Sequence, residues 1–172
     1  ETFGEYLDAL RTKGVYPNVA ALASHATIRH AVMGADAAKR AATKTERARM
    51  VDILDDALKA GAVGFGTSTN ENHRGAGGVP IASRLADQEE FDAFADAMAA
   101  YDHGVFLITT GSHMDMSFRE RFAQRSGRPS LYAAHFHYPH EPDRGRRLMD
   151  DAQAARQRGN AVYTQGACQP LS

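Results

Sequence analysis

The chain has 172 residues, 43% of them hydrophobic and 24% charged, the balance of a globular protein, and its length admits one ordinary domain or a large part of a barrel that needs about 250 residues. Twenty Lys and Arg against 21 Asp and Glu leave a net charge of -1, without the basic excess that a phosphate backbone demands, so nucleic acid is not an expected partner. No apolar run approaches the roughly 20 residues of a membrane span, and the lone cysteine, Cys168, allows no intrachain disulfide, which fits a cytoplasmic location.

Taken in chain order, Phe3, Tyr6, Leu7 and Leu10 recur at helical spacing until Gly14 and Pro17. The uncharged run Asn18 to Ala23 predicts a strand buried on both faces. Thr43 and Glu46 have capping-box spacing ahead of the stripe Met50, Ile53, Leu54, Ala57 and Leu58, which Gly61 ends. Ala62 to Ser68 then reads as a strand with glycines where backbones or ligands come close. After a long loop to about Leu85, Asp87 and Glu90 repeat the capping spacing before the stripe Phe91, Phe94, Ala95 and Met98. Val105 to Thr109 is a strand, Phe118 to Arg125 a helix, Leu131 to Ala134 a strand, Arg144 to Arg158 a helix and Ala161 to Thr164 a last strand. Five strand-like runs alternating with helices require parallel pairing and right-handed crossovers, hence either an open doubly wound sheet or an arc of a closed barrel. No repeat or linker divides the chain, so residues 1–172 read as one unit, and the opening Glu1-Thr2-Phe3 and the closing Gln169 to Ser172 read as cut ends.

In both architectures functional side chains gather where strands end. After the first strand stand Ser24, His25, Thr27, Arg29 and His30. His25 suits a metal-bound water or an anionic intermediate and Arg29 a carboxylate, while the plain alternative is a helix start capped by Ser24. After the second strand, Thr67 to Arg74 runs into Gly75-Ala76-Gly77-Gly78, a loop suited to be a lid or a substrate-specificity loop, with a solvated excursion as the alternative. Its glycines are no phosphate cradle, because they neither follow a strand directly nor open a helix. His113 and Asp115 after the third strand have metal-binding chemistry or are surface groups. The fourth strand leads into His135, His137 and His140. Alternate strand residues share a face, so His135 and His137 converge on one ion if the strand reaches that far, and imidazoles are usual donors to zinc, while a structural or supporting role is the alternative because two or three histidines do not complete a site. Cys168 reads as a small inert thiol.

Asn18 to Leu22, Ser24 to Arg29 and Ala31 to Gly34 together resemble a stretch of the D-aminoacylases within the amidohydrolase superfamily. Asp56 to Ser68, Val79-Pro80, Ser83 to Ala86 and Gln165 to Leu171 are similar to further segments of that family. The resemblance implies the central part of a metal-dependent (β/α)8 TIM barrel, incomplete at both ends, that hydrolyses a non-peptide carbon–nitrogen bond in a small N-acyl-D-amino acid. It implies zinc or another divalent metal, and, taken with the strand-end positions above, His135 and His137 are expected as metal ligands and His25, Arg29, Ser68 and His73 on the substrate side. The family's His-x-His pair, cysteine ligand and late general-base aspartate have no counterpart here, so the 172 residues alone are expected to be inactive. A family metal histidine belongs at the end of the strand Val105 to Ile108, where Thr109 or Thr110 stands, and His135 matches the next one by one alignment while Ala134 does by another. These departures keep a rival open, a non-catalytic barrel relative or binding module without a competent metal site.

Overall fold

The computed structural model describes residues 1–109, 111, 114–135 and 139–166, the side chains of Ala76, Ala134 and His135 excepted. Among the described residues, six α-helices and five strands follow one another, with two helices between the first two strands: α1 (Phe3–Lys13), β1 (Ala23–Ser24), α2 (His25–Met33), α3 (Lys44–Ala60), β2 (Gly64–Ser68), α4 (Gln88–Ala99), β3 (Val105–Thr109), α5 (Met116–Ser126), β4 (Ser130–His135), α6 (Arg144–Gln157) and β5 (Val162–Gly166). Local chemistry sets several boundaries. Thr43 and Glu46 form the expected reciprocal capping box on α3, and Gly61 ends that helix in the left-handed conformation. Asp115 caps α5, its side chain accepting from the amide of Phe118, which starts that helix two residues earlier than the apolar spacing alone suggests. Asp115 therefore serves as a helix cap, while His113, its companion in the metal-binding alternative, lies outside the described residues.

The sheet decides between the two architectures left open by periodicity. All four pairings are parallel and the strands lie side by side in chain order. Right-handed crossovers that always step in one direction put every connecting helix on the same side. A doubly wound sheet would reverse direction at a switch point and carry helices on both sides. The chain therefore forms an arc of a barrel.

Strand alternation divides that arc into a covered and an open face. Phe65, Phe106, Ile108, Tyr132 and Val162 point toward the helices and are buried. Phe65 meets Phe94 of α4 with ring centroids 4.6 Å apart, and Phe106 stacks on Phe122 of α5 at 3.7 Å. Each such ring removes about 150–250 Å² from water, so these contacts dominate the packing between sheet and helices. On the other face the register aligns Ser24, Gly66, Leu107, Leu131 and Tyr163 in one row across the strands, and Tyr163 is 44% exposed.

The edge strand departs from expectation. The run Asn18 to Ala23 was predicted as a strand buried on both faces, yet only Ala23 and Ser24 pair with β2, and Asn18 to Ala20 are exposed. Chain turns into α2 directly afterward, with the Ser24 side chain accepting from the amide of Thr27. Between β2 and β3 the backbones approach so closely that a Cβ on Gly64, whose φ is +142°, would lie 2.0 Å from the carbonyl oxygen of Val105. Only glycine fits there.

Candidate active site

Parallel strands bring Ser68, Thr109 and His135 to the same C-terminal edge of the sheet. At the end of β2 three successive hydroxyl residues point three ways. Thr67 turns to the covered side, Ser68 to the open side, and Thr69 toward the chain leaving β3.

On the open side the Ser68 hydroxyl lies 2.6 Å from Nδ1 of His73 and accepts from the amide of Asn70 at 3.2 Å. Because Ser68 Oγ already accepts one bond, the arrangement that satisfies both groups has it donating its proton to Nδ1. That leaves Nε2 of the exposed His73 as a donor with no partner among the described residues. The loop is tied down at its far end as well: Ser83 Oγ donates to the carbonyl of Ser68 at 2.6 Å, and the amide of Ile81 to the carbonyl of His73 at 3.2 Å. Two of the four residues expected on the substrate side, Ser68 and His73, thus meet at the rim.

His25 and Arg29 lie elsewhere. Both are fully buried under α2 on the helix side of the sheet. His25 Nδ1 is 2.8 Å from Thr67 Oγ1, and its Nε2 is 2.6 Å from Oε1 of Glu90 on α4. Arg29 pairs with the other oxygen of Glu90 and donates to the carbonyls of Ala37 at 3.1 Å and Arg40 at 2.8 Å. Three phenylalanines, Phe65, Phe91 and Phe94, surround the His25 ring with centroids 5.0 to 5.3 Å away. The placement on the substrate side is corrected accordingly: strand alternation turns Thr67 and its partners inward, and neither imidazole nitrogen is left for a ligand.

Electrostatics of this cluster are mutually consistent. Burial lowers the pKa of His25 below the ordinary imidazole value and Arg29 adds to that, against the opposing pull of Glu90. Burial would raise Glu90, but hydrogen bonds and charge from His25 and Arg29 outweigh it and keep the carboxyl below its usual range. Neutral His25 then donates from Nε2 to an ionised Glu90 and accepts the Thr67 proton at Nδ1. The capping spacing of Asp87 and Glu90 does not reveal this role of the Glu90 side chain. Asp87 does accept from the Glu90 amide at 2.9 Å, while the Glu90 side chain turns into the core. Its place beside Phe91 on the apolar stripe was the available signal.

Thr69 completes the rim. Its amide donates to the carbonyl of Thr109 at 3.1 Å, and its hydroxyl accepts from the amide of Gly111 at 2.9 Å. A Cβ on Gly111 would stand 2.0 Å from the carbonyl oxygen of Thr69. Farther along the same turn, Arg119 of α5 donates to the carbonyl of Met114 at 3.0 Å and lies 4.2 Å over the ring of Tyr132. Burial holds its pKa below the ordinary guanidinium value.

His135 is the last residue of β4 and pairs with Gly166 after a register irregularity, so the strand reaches as far as the expected ligand pair requires at its first member. His137, His113 and Cys168 lie outside the described residues. Among the described residues no three His, Cys, Asp or Glu side chains come together as a metal-binding group. None of the described helices is long and apolar enough to cross a membrane.

No protein-family model matches the chain. It is 32% identical over 126 residues to a D-aminoacylase of Alcaligenes xylosoxydans xylosoxydans, a match covering 71% of this chain and 23% of that protein. It is 48% identical over 68 residues to an N-acyl-D-aspartate deacylase of the same organism, covering 40% of this chain and 13% of the relative. A crystal structure of D-aminoacylase, described as defining a novel subset of amidohydrolases, superposes with a TM-score of 0.77 at 24% identity over 96% of this chain and 33% of that one. N-acyl-D-glutamate deacylase from Bordetella bronchiseptica, solved with zinc and a phosphonate mimic of the tetrahedral intermediate, matches with a TM-score of 0.74 at 26% identity, over 95% of this chain and 33% of that one. The chain spans less than a quarter of the length of these curated relatives. By these sequence matches, the chain belongs to the D-aminoacylase family.

Proposed function

We propose that these residues are the central part of a single catalytic barrel that hydrolyses the amide bond of an N-acyl-D-amino acid with the help of a divalent metal, zinc in the first instance. The observation that carries this reading is the rim itself. Ser68, with His73 bonded to it, and the end of β4 at His135 stand on one edge of a sheet whose relatives include a deacylase solved with zinc and an intermediate mimic.

His135 and His137 supply the imidazole donors that zinc prefers and would hold the metal together with ligands beyond these two. A bound zinc would supply Lewis acidity toward the acyl oxygen and a more acidic water. In the overall reaction water adds to the acyl carbon, the carbon–nitrogen bond breaks, and the proton passes to the departing amine. Ser68 and His73 act on the substrate side: the outward Nε2–H of His73 donates to an anionic oxygen of the small acylated amino acid, and Ser68 fixes the ring that does so. A cytoplasmic location belongs to the same proposal, on the ground of the single cysteine.

A second reading, a barrel relative without a competent metal site, is favoured by one observation. Thr109, at the end of β3 beside Ser68, offers a hydroxyl where the resemblance calls for an imidazole. Metal analysis of the full-length gene product, together with turnover of N-acetyl-D-amino acids by it and by its His135→Ala variant, separates the two. Hydrolysis lost with the metal in His135→Ala is the expected result, and a wild-type protein with neither metal nor turnover sinks the hydrolase reading.

A further inference from the structure

The end of β2 is a junction in which one short stretch of chain is bonded to three different elements. Thr67 meets His25 at the start of α2, and through it Glu90 of α4 and Arg29. Ser68 holds both ends of the loop that follows, by way of His73, Asn70 and Ser83. Thr69 holds the turn after β3 through Gly111. Arg29 extends the cluster to the carbonyls of Ala37 and Arg40, so the loop after α2 is bonded to it as well.

A cluster of this kind is more than core filling needs. Burying a carboxylate, a guanidinium and an imidazole among three phenylalanines contributes little net stability compared with an apolar cluster of the same volume. What it supplies is direction. A hydroxyl in an apolar pocket rotates among staggered positions, and one whose proton is accepted by a fixed imidazole does not. His25 is fixed in turn because its opposite nitrogen is bonded to Glu90, whose second oxygen is held by Arg29.

We infer that Thr67, His25, Glu90 and Arg29 form a positioning relay, anchored between α2 and α4, that fixes the end of β2 and thereby sets where Ser68, His73 and the turn at Gly111 stand on the rim. The relay touches no substrate. It deepens the reading of the rim as the substrate side and rests on it for its purpose, but its physical content is the coupling between the two faces of β2.

Thr67→Val removes the hydroxyl without changing shape or charge, and Thr67→Ser restores it. Backbone amide exchange, followed residue by residue on the full-length gene product, is the direct measurement. In Thr67→Val the amides of Asn70, Ile81 and Gly111 should exchange at least tenfold faster, those of Leu54 and Leu58 in α3 should stay within twofold of wild type, and Thr67→Ser should recover the wild-type pattern. Unchanged exchange at the three rim amides overturns the relay. So does a uniform acceleration that includes α3, which would mean that Thr67 serves only general stability. Nitrogen-15 shifts of the wild-type His25 ring give a check that needs no variant to fold: protonation at Nε2 alone is expected, and a proton on Nδ1 overturns the proposed direction. Should the full-length protein hydrolyse N-acetyl-D-amino acids, Thr67→Val raises KM by fivefold or more with kcat within twofold, and an unchanged KM counts against the relay. Absence of hydrolysis would instead sink the functional reading and leave the exchange result standing.

Discussion

Thr67 and Ser68 are chemically similar neighbours, yet one faces a sealed aromatic core and the other an exposed histidine at the rim. Thr67 bonds to an imidazole whose ring is enclosed by Phe65, Phe91 and Phe94. Ser68 bonds to His73, on a loop open to water. The same pairing of hydroxyl and imidazole is therefore enclosed in the core on one face and open to water on the other. Only the twofold alternation of the strand decides which. Polar density in a sequence marks the end of a strand, while the face a residue occupies marks its role.

The sharpest way to break this contrast is to remove the charge at the centre of the covered side. Glu90→Leu leaves Arg29 buried without its carboxylate, a change that costs about 3–5 kcal/mol when one partner of a buried ion pair is lost. Urea unfolding should show a loss of that order. The combined replacement Glu90→Leu with Arg29→Met should recover most of it. A loss under about 1 kcal/mol would mean that the cluster is not electrostatically closed, which contradicts the burial of both groups.

Gly64→Ala probes the sheet that separates the two faces. A methyl group 2.0 Å from the Val105 carbonyl, on a residue with φ of +142°, cannot be accommodated without moving β2 from β3. About 3 kcal/mol, the upper end of the overpacking range, is the expected cost, again read from urea unfolding. Replacement at Gly66, whose added Cβ would meet only the Leu22 side chain at 3.5 Å or more and the Ala23 carbonyl, should cost much less.

Acid should destabilise the covered side. The folded pKa of His25 is lowered, so the unfolded chain binds the proton first and stability falls as pH drops through the unfolded value of about 6.5. The fall continues until the folded value is reached, at a limiting slope of about 1.4 kcal/mol per pH unit for one proton. Glu90, whose folded pKa is also lowered, adds its own loss below the unfolded carboxyl value of about 4.3. Subtracting the profile of His25→Gln from that of wild type between pH 8 and 5 isolates the imidazole from the other histidines. A flat difference would show that His25 titrates in the fold as it does in the unfolded chain.

Much of this fold is legible in the sequence, because the stripe from Met50 to Leu58, the strand Val105 to Thr109 and the stops at Gly61 and Gly127 are local signals that tertiary packing left intact. The singly wound arc follows from the family resemblance and not from periodicity, since strand order depends on pairings between residues 24 or more positions apart, such as Phe106 with Ser130 and Phe65 with Phe106. At the site, the meeting of Ser68 with His73 is five residues long and was within reach of a local reading. His25 was misplaced because its partners, Thr67 and Glu90, lie 42 and 65 residues away, and a dense polar segment carries no sign of which carboxylate will close over it.

The smallest expected effect falls on the open side. Ser68→Ala removes the hydroxyl that bonds His73 and Asn70 at a part-buried position. It leaves the backbone carbonyl free to hold Ser83 as before. One partly solvated hydrogen-bond pair is worth about 1 kcal/mol, so global stability should change by no more than that. The local effect should be larger than the global one, because a His73 ring that has lost its Nδ1 partner can rotate. In the full-length protein that rotation should appear as weaker substrate binding, measured as KM, with the thermal midpoint nearly unchanged. A stability loss comparable with that of Glu90→Leu would erase the contrast between the two faces, since it would make the rim as much a structural element as the sealed core behind it.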